Sequence, residues 1–220
     1  MLVTCIGLEM NIINFLACPL VHSSTDFRLT NKERLVLEHV SGFGTSSNKS
    51  YGYGVDVSQN HTILETHGME RVKDFMVNFT KDFVKNKLKI KQEFYLTQSW
   101  STKNAKDDRH HMHTHANTLL SCVYYVQAEC PNSGKLTLAN DHNGLFPHFN
   151  LTFEYEEYNN YNSKSWTFDV KTGDIVLFPG YLSHFSTPNE SDIDRIVIGA
   201  NFFTRGKFGT DNTIDLMEIK

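Results

Sequence analysis

Two stretches in the first part of the chain carry apolar residues at spacings of three and four, the period of an amphipathic helix. In 63–88 the apolar stripe consists of Met69, Val72, Phe75, Met76, Phe79 and Phe83. In 30–40 either Thr30 or Asn31 can cap the first turn. The apolar side of that shorter segment consists of Leu35, Val36 and either His39 or Val40. The pattern predicts two helices that pack through these faces.

From Glu93 onward the apolar positions alternate with polar ones, and turn-forming segments such as "PNSG" (131–134) and "KTGD" (171–174) interrupt the alternation. The candidate strands are 93–101, 110–116, 119–128, 134–139, 149–157, 165–170, 174–178, 183–187 and 194–204. Many short strands at this spacing are typical of a sandwich or a jelly-roll barrel. We therefore expect one α+β domain, with a double-stranded β-helix core over 93–209 and the N-terminal strand and helices of 10–92 packed on one face.

Size and charge argue against several classes of protein. The 220 residues carry a net charge of −4, so the chain as a whole lacks the basic field of a nucleic-acid-binding protein. The four cysteines are scattered and form no C-x-x-C pair, which fits reduced thiols rather than a zinc ribbon. Glu9 and Asn11 interrupt the apolar N-terminus, and no apolar run is long enough to span a membrane. We expect a cytoplasmic protein, and Met10 as an alternative start would leave 1–9 outside the native chain.

The segment "RHHMHTH" (109–115) holds four histidines in six positions and is the most distinctive local feature of the sequence. Residues two apart in a strand point to the same side, so His113 and His115 should project together. By the same alternation His111 should share their side and His110 should face the other way. Because two imidazoles alone bind a metal weakly, a third ligand must come from elsewhere. His184 is the candidate, since it begins a strand just after a Pro-Gly turn.

Arg195 opens the apolar strand "RIVIGANFF" (195–203). A guanidinium that enters a buried strand is costly unless an anion meets it, and its planar fork suits a carboxylate. An H-x-H pair, a distant third histidine and a buried arginine shortly after it together indicate a non-haem Fe(II) site, whose protein ligands leave open positions. The alternative explanation of 110–115 is a histidine-rich surface strand that holds no metal.

Short motifs in the β-rich part occur in a characteristic order. They are the H-x-H pair with Asn117-Thr118, Ser121–Tyr125, Trp166, "GDIVLFP" (173–179), His184, "RIVIGAN" (195–201) and "FTRGKFG" (203–209). In this order they resemble the 2-oxoglutarate/Fe(II)-dependent oxygenase superfamily, and more narrowly an oxygenase family frequent in marine bacteria and their phages. The resemblance covers about 90–209, and it implies that the cytoplasm is that of a bacterial cell or of a phage-infected host.

This resemblance implies a reaction and a role for each residue. An oxygenase of this kind takes Fe(II), 2-oxoglutarate and O₂, and it releases succinate and CO₂ while it hydroxylates a substrate. The implied roles are iron ligation by His113, His115 and His184, binding of the distal carboxylate by Arg195, and further cosubstrate contacts by Tyr125 and Ser121. The substrate is expected to be a small molecule or a protein side chain, and a homodimer is an open expectation.

The second ligand position departs from the superfamily's pattern, which places a carboxylate there in H-x-D or H-x-E. That position is His115 if His113 is the first ligand, and Asn117 if His115 is the first. We favour His113, His115 and His184 because imidazole binds Fe(II) far better than an amide does. A carboxylate from Asp141 or Asp108 remains an alternative.

Two other functional classes fit part of the pattern. A cupin also combines H-x-H with a later histidine on a β-barrel, but it carries a glutamate where this chain has Leu119 and Leu120, and it has no need of Arg195. A non-catalytic metal-binding or phage structural protein on the same barrel is the second alternative. Release of succinate from 2-oxoglutarate in the presence of iron would separate the oxygenase from both.

The sequence says less about the surroundings of the site. The loops 41–60 and 140–164 are expected to line its mouth, and the tyrosine- and asparagine-rich stretch 154–164 indicates only polar and aromatic contacts. We expect Trp166 in the core. Asn201 is expected either in the pocket or at the end of the barrel.

Overall fold

The structure, a computed structural model, describes residues 18–44, 54–139, 153–159, 161–210 and 214–220. Within these ranges the helices are α1 (Asn31–Ser41) and α2 (Glu70–Asp82), with a 3₁₀ turn (Ile63–Glu65) before α2 and a π-helical turn (Phe83–Lys87) after it. The predicted continuous helix over 63–88 is therefore divided. Gly68, at a φ of +96°, separates the 3₁₀ turn from α2, since a backbone in this region cannot continue a right-handed helix.

The cap of α1 shows why that helix begins where it does. The Thr30 hydroxyl accepts a hydrogen bond from the Glu33 backbone at 3.2 Å, and the Glu33 carboxylate accepts one from the Thr30 backbone at 2.7 Å. This reciprocal pair is a capping box, which satisfies backbone donors that have no partner within the helix. Thr30, and not Asn31, is therefore the cap.

The described strands form two antiparallel sheets. The strands are β1 (Val21–Ser24), β2 (Asp56–Val57), β3 (Glu93–Asn104), β4 (Leu120–Gln127), β5 (Lys135–Ala139), β6 (Ser165–Asp169), β7 (Asp174–Pro179), β8 (Ser183–Ser186), β9 (Arg195–Phe208) and β10 (Met217–Ile219). The larger sheet has the order β1-β7-β4-β9-β3-β2, with β10 paired to β9, and the smaller has the order β6-β5-β8. The mostly antiparallel, two-sheet architecture confirms the predicted α+β double-stranded β-helix.

Two predicted strands differ from this outcome. Segment 110–116 forms no continuous strand, and only isolated bridges pair Arg109 with Gly54 and His113 with His184. Of the predicted strand 149–157, residues 153–157 are not extended in a sheet, and 149–152 lie outside the described residues.

Alternation along β4, β7 and β9 divides the apolar residues between two cores. On one face, residues such as Tyr124, Leu177 and Phe202 pack against the helices, which contribute Val72 and Met76 of the predicted α2 stripe. The other face of the larger sheet meets the smaller sheet in a second core, formed by residues that include Tyr125, Leu138, Val176 and Phe178. The helices thus cover one face, and the candidate site lies between the two sheets.

The packed side of α1 differs from the predicted one at one position. Leu35, predicted on that side, is instead exposed, and Leu37 takes the buried position. None of the helices in the described residues is long and apolar enough to cross a membrane.

Candidate active site

His113 and His184 face each other as cross-strand partners. The backbone N–H of His113 donates to the carbonyl of His184 at 3.0 Å, and the reverse bond measures 2.9 Å. Their rings are 4.1 Å apart between centroids, and the His115 ring is 4.8 Å from that of His184. Ligand atoms of the three side chains all lie within 4.8 Å of one another. The structure thus brings together the three histidines that the sequence singled out.

The hydrogen bonds of the three rings determine which nitrogen is available. Nδ1 of His113 lies 2.9 Å from the carbonyl oxygen of His111, and Nδ1 of His184 lies 3.1 Å from that of Leu182. A carbonyl only accepts, so both Nδ1 atoms carry the proton and both Nε2 atoms keep a free lone pair. Such outer hydrogen bonds orient the histidine ligands of metal sites.

His115 is anchored from behind by two polar side chains. Its Nδ1 contacts Ser121 Oγ and lies 2.9 Å from Asn201 Oδ1, while the Ser121 hydroxyl donates to the same Asn201 oxygen at 2.7 Å. The Asn201 amide nitrogen donates to Gln98 Oε1 at 3.3 Å, which fixes the orientation of the amide. The oxygen therefore faces His115, and Nδ1 of His115 carries a proton too.

Burial keeps these imidazoles neutral. Desolvation, reinforced by the neighbouring His113, lowers the pKa of His115 to about 4. Burial also lowers the pKa of His113, and it lowers that of His184 well below the usual value. A metal ligand must be unprotonated, so three neutral imidazoles with free Nε2 atoms fit a divalent cation.

Arg195 is a buried cation with no counter-charge among the described residues. Only 3% of it is exposed, and no described carboxylate forms an ion pair with it. Its guanidinium donates to the Ser133 carbonyl at 2.8 Å and to Ser186 Oγ at 2.5 Å. A Cβ on Gly134 would approach the same guanidinium to 2.8 Å, so the glycine leaves room for it. A charge buried at such cost and held so firmly indicates a site for an anion.

Two further polar groups line the cavity beside Arg195. The Tyr125 hydroxyl has no hydrogen-bond partner among the described residues, and burial raises the pKa of Tyr125 to about 12. Asn104 pairs directly with Arg195 across β3 and β9, and its buried side-chain nitrogen has no partner within the described ranges. Directly paired residues share a face of the sheet, so the amide and the guanidinium point the same way.

The sequence prediction for this pocket named Arg195, Tyr125 and Ser121. Ser121 instead lies behind His115, and the structure adds Asn104, which the sequence missed. The alternation along β3 could have placed Asn104 on one face, but only the β3–β9 register identifies Arg195 as its neighbour.

His110 and Trp166 do not lie where the sequence predicted. The His110 ring was expected to point away from the other histidines, yet it lines the cavity with its centroid 4.5 Å from that of His113. Strand alternation fails here because 110–116 is not a regular strand. Trp166, expected in the core, is 48% exposed because β6 is an edge strand.

Of the three alternative metal ligands, the two that the structure describes lie away from the inner histidines. Asn117 is exposed in a turn at a φ of +56°. Asp108 accepts a hydrogen bond from the Ala105 backbone at 2.9 Å and so caps its own loop. Asp141 lies outside the described residues.

Comparison with known proteins identifies the class of the chain. Residues 98–201 match the model of a family described as "Putative 2OG-Fe(II) oxygenase". This match, together with the three histidines and Arg195 that line one cavity, supports the 2-oxoglutarate/Fe(II) oxygenase superfamily. The oxygenase is therefore an oxidoreductase that depends on Fe(II) and 2-oxoglutarate, and the match decides against the cupin alternative. A search of curated proteins gave no match.

Solved structures of low sequence identity share the fold of the oxygenase. The α-ketoglutarate-dependent carbocyclase SnoK from nogalamycin biosynthesis is 12% identical with a TM-score of 0.57, over 84% of this chain and 79% of that one. HygX from Streptomyces hygroscopicus, solved with nickel, 2-oxoglutarate and hygromycin B, is 13% identical with a TM-score of 0.55, over 84% and 82%. A Pseudomonas putida prolyl-4-hydroxylase is 12% identical with a TM-score of 0.51, over 86% and 94%.

Proposed function

We propose that this chain oxidises a C–H bond of its substrate at a site where His113, His115 and His184 hold the iron and Arg195 holds 2-oxoglutarate. The single observation that carries the assignment is the convergence of three neutral imidazoles beside a buried guanidinium that no described carboxylate pairs with. When bound there, iron and 2-oxoglutarate supply the oxidising chemistry, with release of succinate and CO₂.

The three histidines hold the metal without contributing charge. Each presents Nε2, because an oxygen acceptor already engages its Nδ1 proton. Ser121 and Asn201 act through His115, so we assign them to positioning it rather than to contact with the cosubstrate.

Three donors then orient the cosubstrate through its distal carboxylate. Arg195 supplies the charge, and the Tyr125 hydroxyl and the Asn104 amide nitrogen supply hydrogen bonds that no described residue now accepts. A charge-assisted pair of this kind fixes both the position and the direction of a carboxylate. The buried wall around these donors keeps water from competing for the guanidinium.

The substrate approaches from the side of β6. His184, Leu138 and Trp166 are direct neighbours across β8, β5 and β6, so their side chains share one face of the smaller sheet. Neighbouring strands are about 4.8 Å apart, so Trp166 stands about 10 Å from His184. Its half-exposed indole is a flat apolar surface on the same face of the smaller sheet as His184, which suits a substrate with an apolar or ring-shaped part.

Titration of N-oxalylglycine, a non-reactive analogue of 2-oxoglutarate, onto the Mn(II)-loaded protein tests the assignment. We expect binding that requires the metal and that falls by at least about a hundredfold in Arg195→Met, since a buried charged pair is lost. Arg205→Met is the matched control, because Arg205 is an exposed arginine on the same strand. Binding of N-oxalylglycine that is equally tight without Mn(II), or equally tight in Arg195→Met, contradicts the proposal.

A further inference from the structure

The three proposed iron ligands, His113, His115 and His184, are called the inner triad. Two other histidines of the 109–115 segment do not belong to it. His110 and His111 are half-buried, and their ring centroids lie 4.5 Å and 5.0 Å from that of His113. Consecutive residues of a regular strand would point to opposite sides. Here the backbone between the isolated bridges at Arg109 and His113 is irregular, and both rings turn to the same neighbour.

These rings meet the geometric requirement of a second metal position. Ligand atoms of His110, His111 and His113 all lie within 4.8 Å of one another, as do those of the inner triad. The outer group is the shallower of the two, because its three members are half-buried whereas His184 is 5% exposed. The His110 backbone is also held, since it donates to Ser186 Oγ at 2.8 Å.

His113 belongs to both groups, and it can serve only one ion at a time. Its Nδ1 proton is donated to the carbonyl of His111, which leaves a single lone pair on Nε2. The two positions are therefore alternatives for one ion rather than the halves of a dinuclear centre.

We infer that His110, His111 and His113 form an outer position for a divalent cation, which the ion occupies on its way to the inner triad. An ion from solvent reaches the shallower imidazoles first. It then exchanges His110 and His111 for His115 and His184 while it stays bound to His113. The inference rests on the proposed inner triad but does not involve 2-oxoglutarate.

The equilibrium test removes the inner position and asks whether an ion still binds. In His115→Ala/His184→Ala we expect one Ni(II) per chain by calorimetry, because imidazole suits nickel. Adding His111→Ala should weaken this binding by about tenfold or more, because a ligand is removed and loss of even an outer-shell partner usually costs about tenfold. Adding His67→Ala, at an exposed histidine outside both groups, should change nothing. Nickel binding that ignores His111, or two ions on the wild-type chain, would overturn the inference.

The kinetic test keeps the inner triad intact and so does not depend on how the double variant folds. Trp100 lies edge-on to His115 at 5.2 Å between centroids, and Trp166→Phe leaves it as the chain's one tryptophan. In that background, quenching of Trp100 by Co(II) reports arrival at the inner triad. His111→Ala keeps the backbone carbonyl that orients His113, so we expect loading several times slower with unchanged final affinity. If His111→Ala took up Co(II) at the unaltered rate, the inference would be wrong. A failure of N-oxalylglycine binding would count only against the proposed function.

Discussion

Each imidazole of the inner triad has one nitrogen occupied before a metal arrives. The acceptors are two backbone carbonyls, of His111 and Leu182, and the paired side chains of Ser121 and Asn201. Since the Nδ1 protons are committed, the rings cannot rotate freely, and the cost of orienting the ligands is met during folding. The anion pocket is built differently, because the Tyr125 hydroxyl and the Asn104 amide nitrogen have no acceptor among the described residues.

Replacement of Asn104 tests the anion pocket at a residue that no motif indicated. Asn104→Ala removes one donor to a charged group, so we expect the affinity for 2-oxoglutarate to fall by about ten- to a hundredfold. Asn104→Asp should abolish binding, because the new carboxylate would pair with Arg195. Calorimetry on the Mn(II)-loaded protein measures both, and pyruvate, which has no distal carboxylate, is the control ligand. An equal loss of pyruvate binding would show that Asn104 acts on the fold instead.

Replacement of His115 by a carboxylate tests its place in the triad. Carboxylate suits Mn(II) and imidazole suits Ni(II), so His115→Asp should shift metal preference towards Mn(II). His115→Asn, of similar shape but uncharged, should weaken both metals without that shift. Dissociation constants for the two metals give the ratio, and a ratio unchanged in His115→Asp would place His115 outside the metal site.

At the level of elements, the long strands β3 and β9 bring the parts of the site into register. Asn104 lies opposite Arg195, Trp100 opposite Gly199 and Gln98 opposite Asn201. The pairing of β3 with β9 therefore places three parts of the site one after another along the strands. These are the anion pocket, the Trp100 indole beside His115, and the side chains that hold His115 from behind. A one-residue slip would turn all of these side chains to the helix-covered face.

Gly199 tests this ladder. A Cβ at this position would come within 2.6 Å of two ring carbons of Trp100, so the indole would have to move away from His115. We expect Gly199→Ala to lower the free energy of unfolding by about 1–3 kcal/mol, the usual cost of overpacking. Chemical denaturation measures the loss. The smaller aliphatic side chain in Trp100→Leu should recover part of it, and a double variant whose losses simply add would argue against the contact.

At the level of the whole molecule, the site concentrates neutral histidines between the two sheets while helices protect the opposite face of the larger sheet. Burial lowers the pKa of His110 to about 3 and that of His115 to about 4, whereas an unfolded histidine titrates at about 6.5. The unfolded chain therefore binds more protons between these values. Stability must rise with pH across that window.

Acid stability of the metal-free protein follows from this difference. Between about pH 6.5 and 5.5 each such histidine should cost about 1 kcal/mol of unfolding free energy, with full stability above the unfolded pKa and progressive loss towards the folded one. Urea denaturation across the window measures the slope. His110→Asn should flatten it, whereas His67→Asn, at an exposed site, should not. A slope unaffected by His110→Asn would mean that this histidine is protonated in the fold.

Several parts of the structure were determined by the sequence itself, because their signals are local. A cap at Thr30 or Asn31, the α2 stripe and the alternation of β4, β7 and β9 depend on residues a few positions apart. The order of the H-x-H pair, His184 and Arg195 along the chain indicated the class of site. Paired histidines on one side of a strand and an arginine at the start of an apolar strand are both costly to bury unless they bind a metal and an anion.

Tertiary structure alone decided the neighbours of these residues. Strand register, which joins positions far apart in sequence, set Asn104 beside Arg195 and Ser121 with Asn201 behind His115. The irregular backbone before His113 has no period from which the direction of His110 could be predicted. Local periodicity tells which way a side chain points along a regular element, but its partner depends on where the rest of the chain is packed.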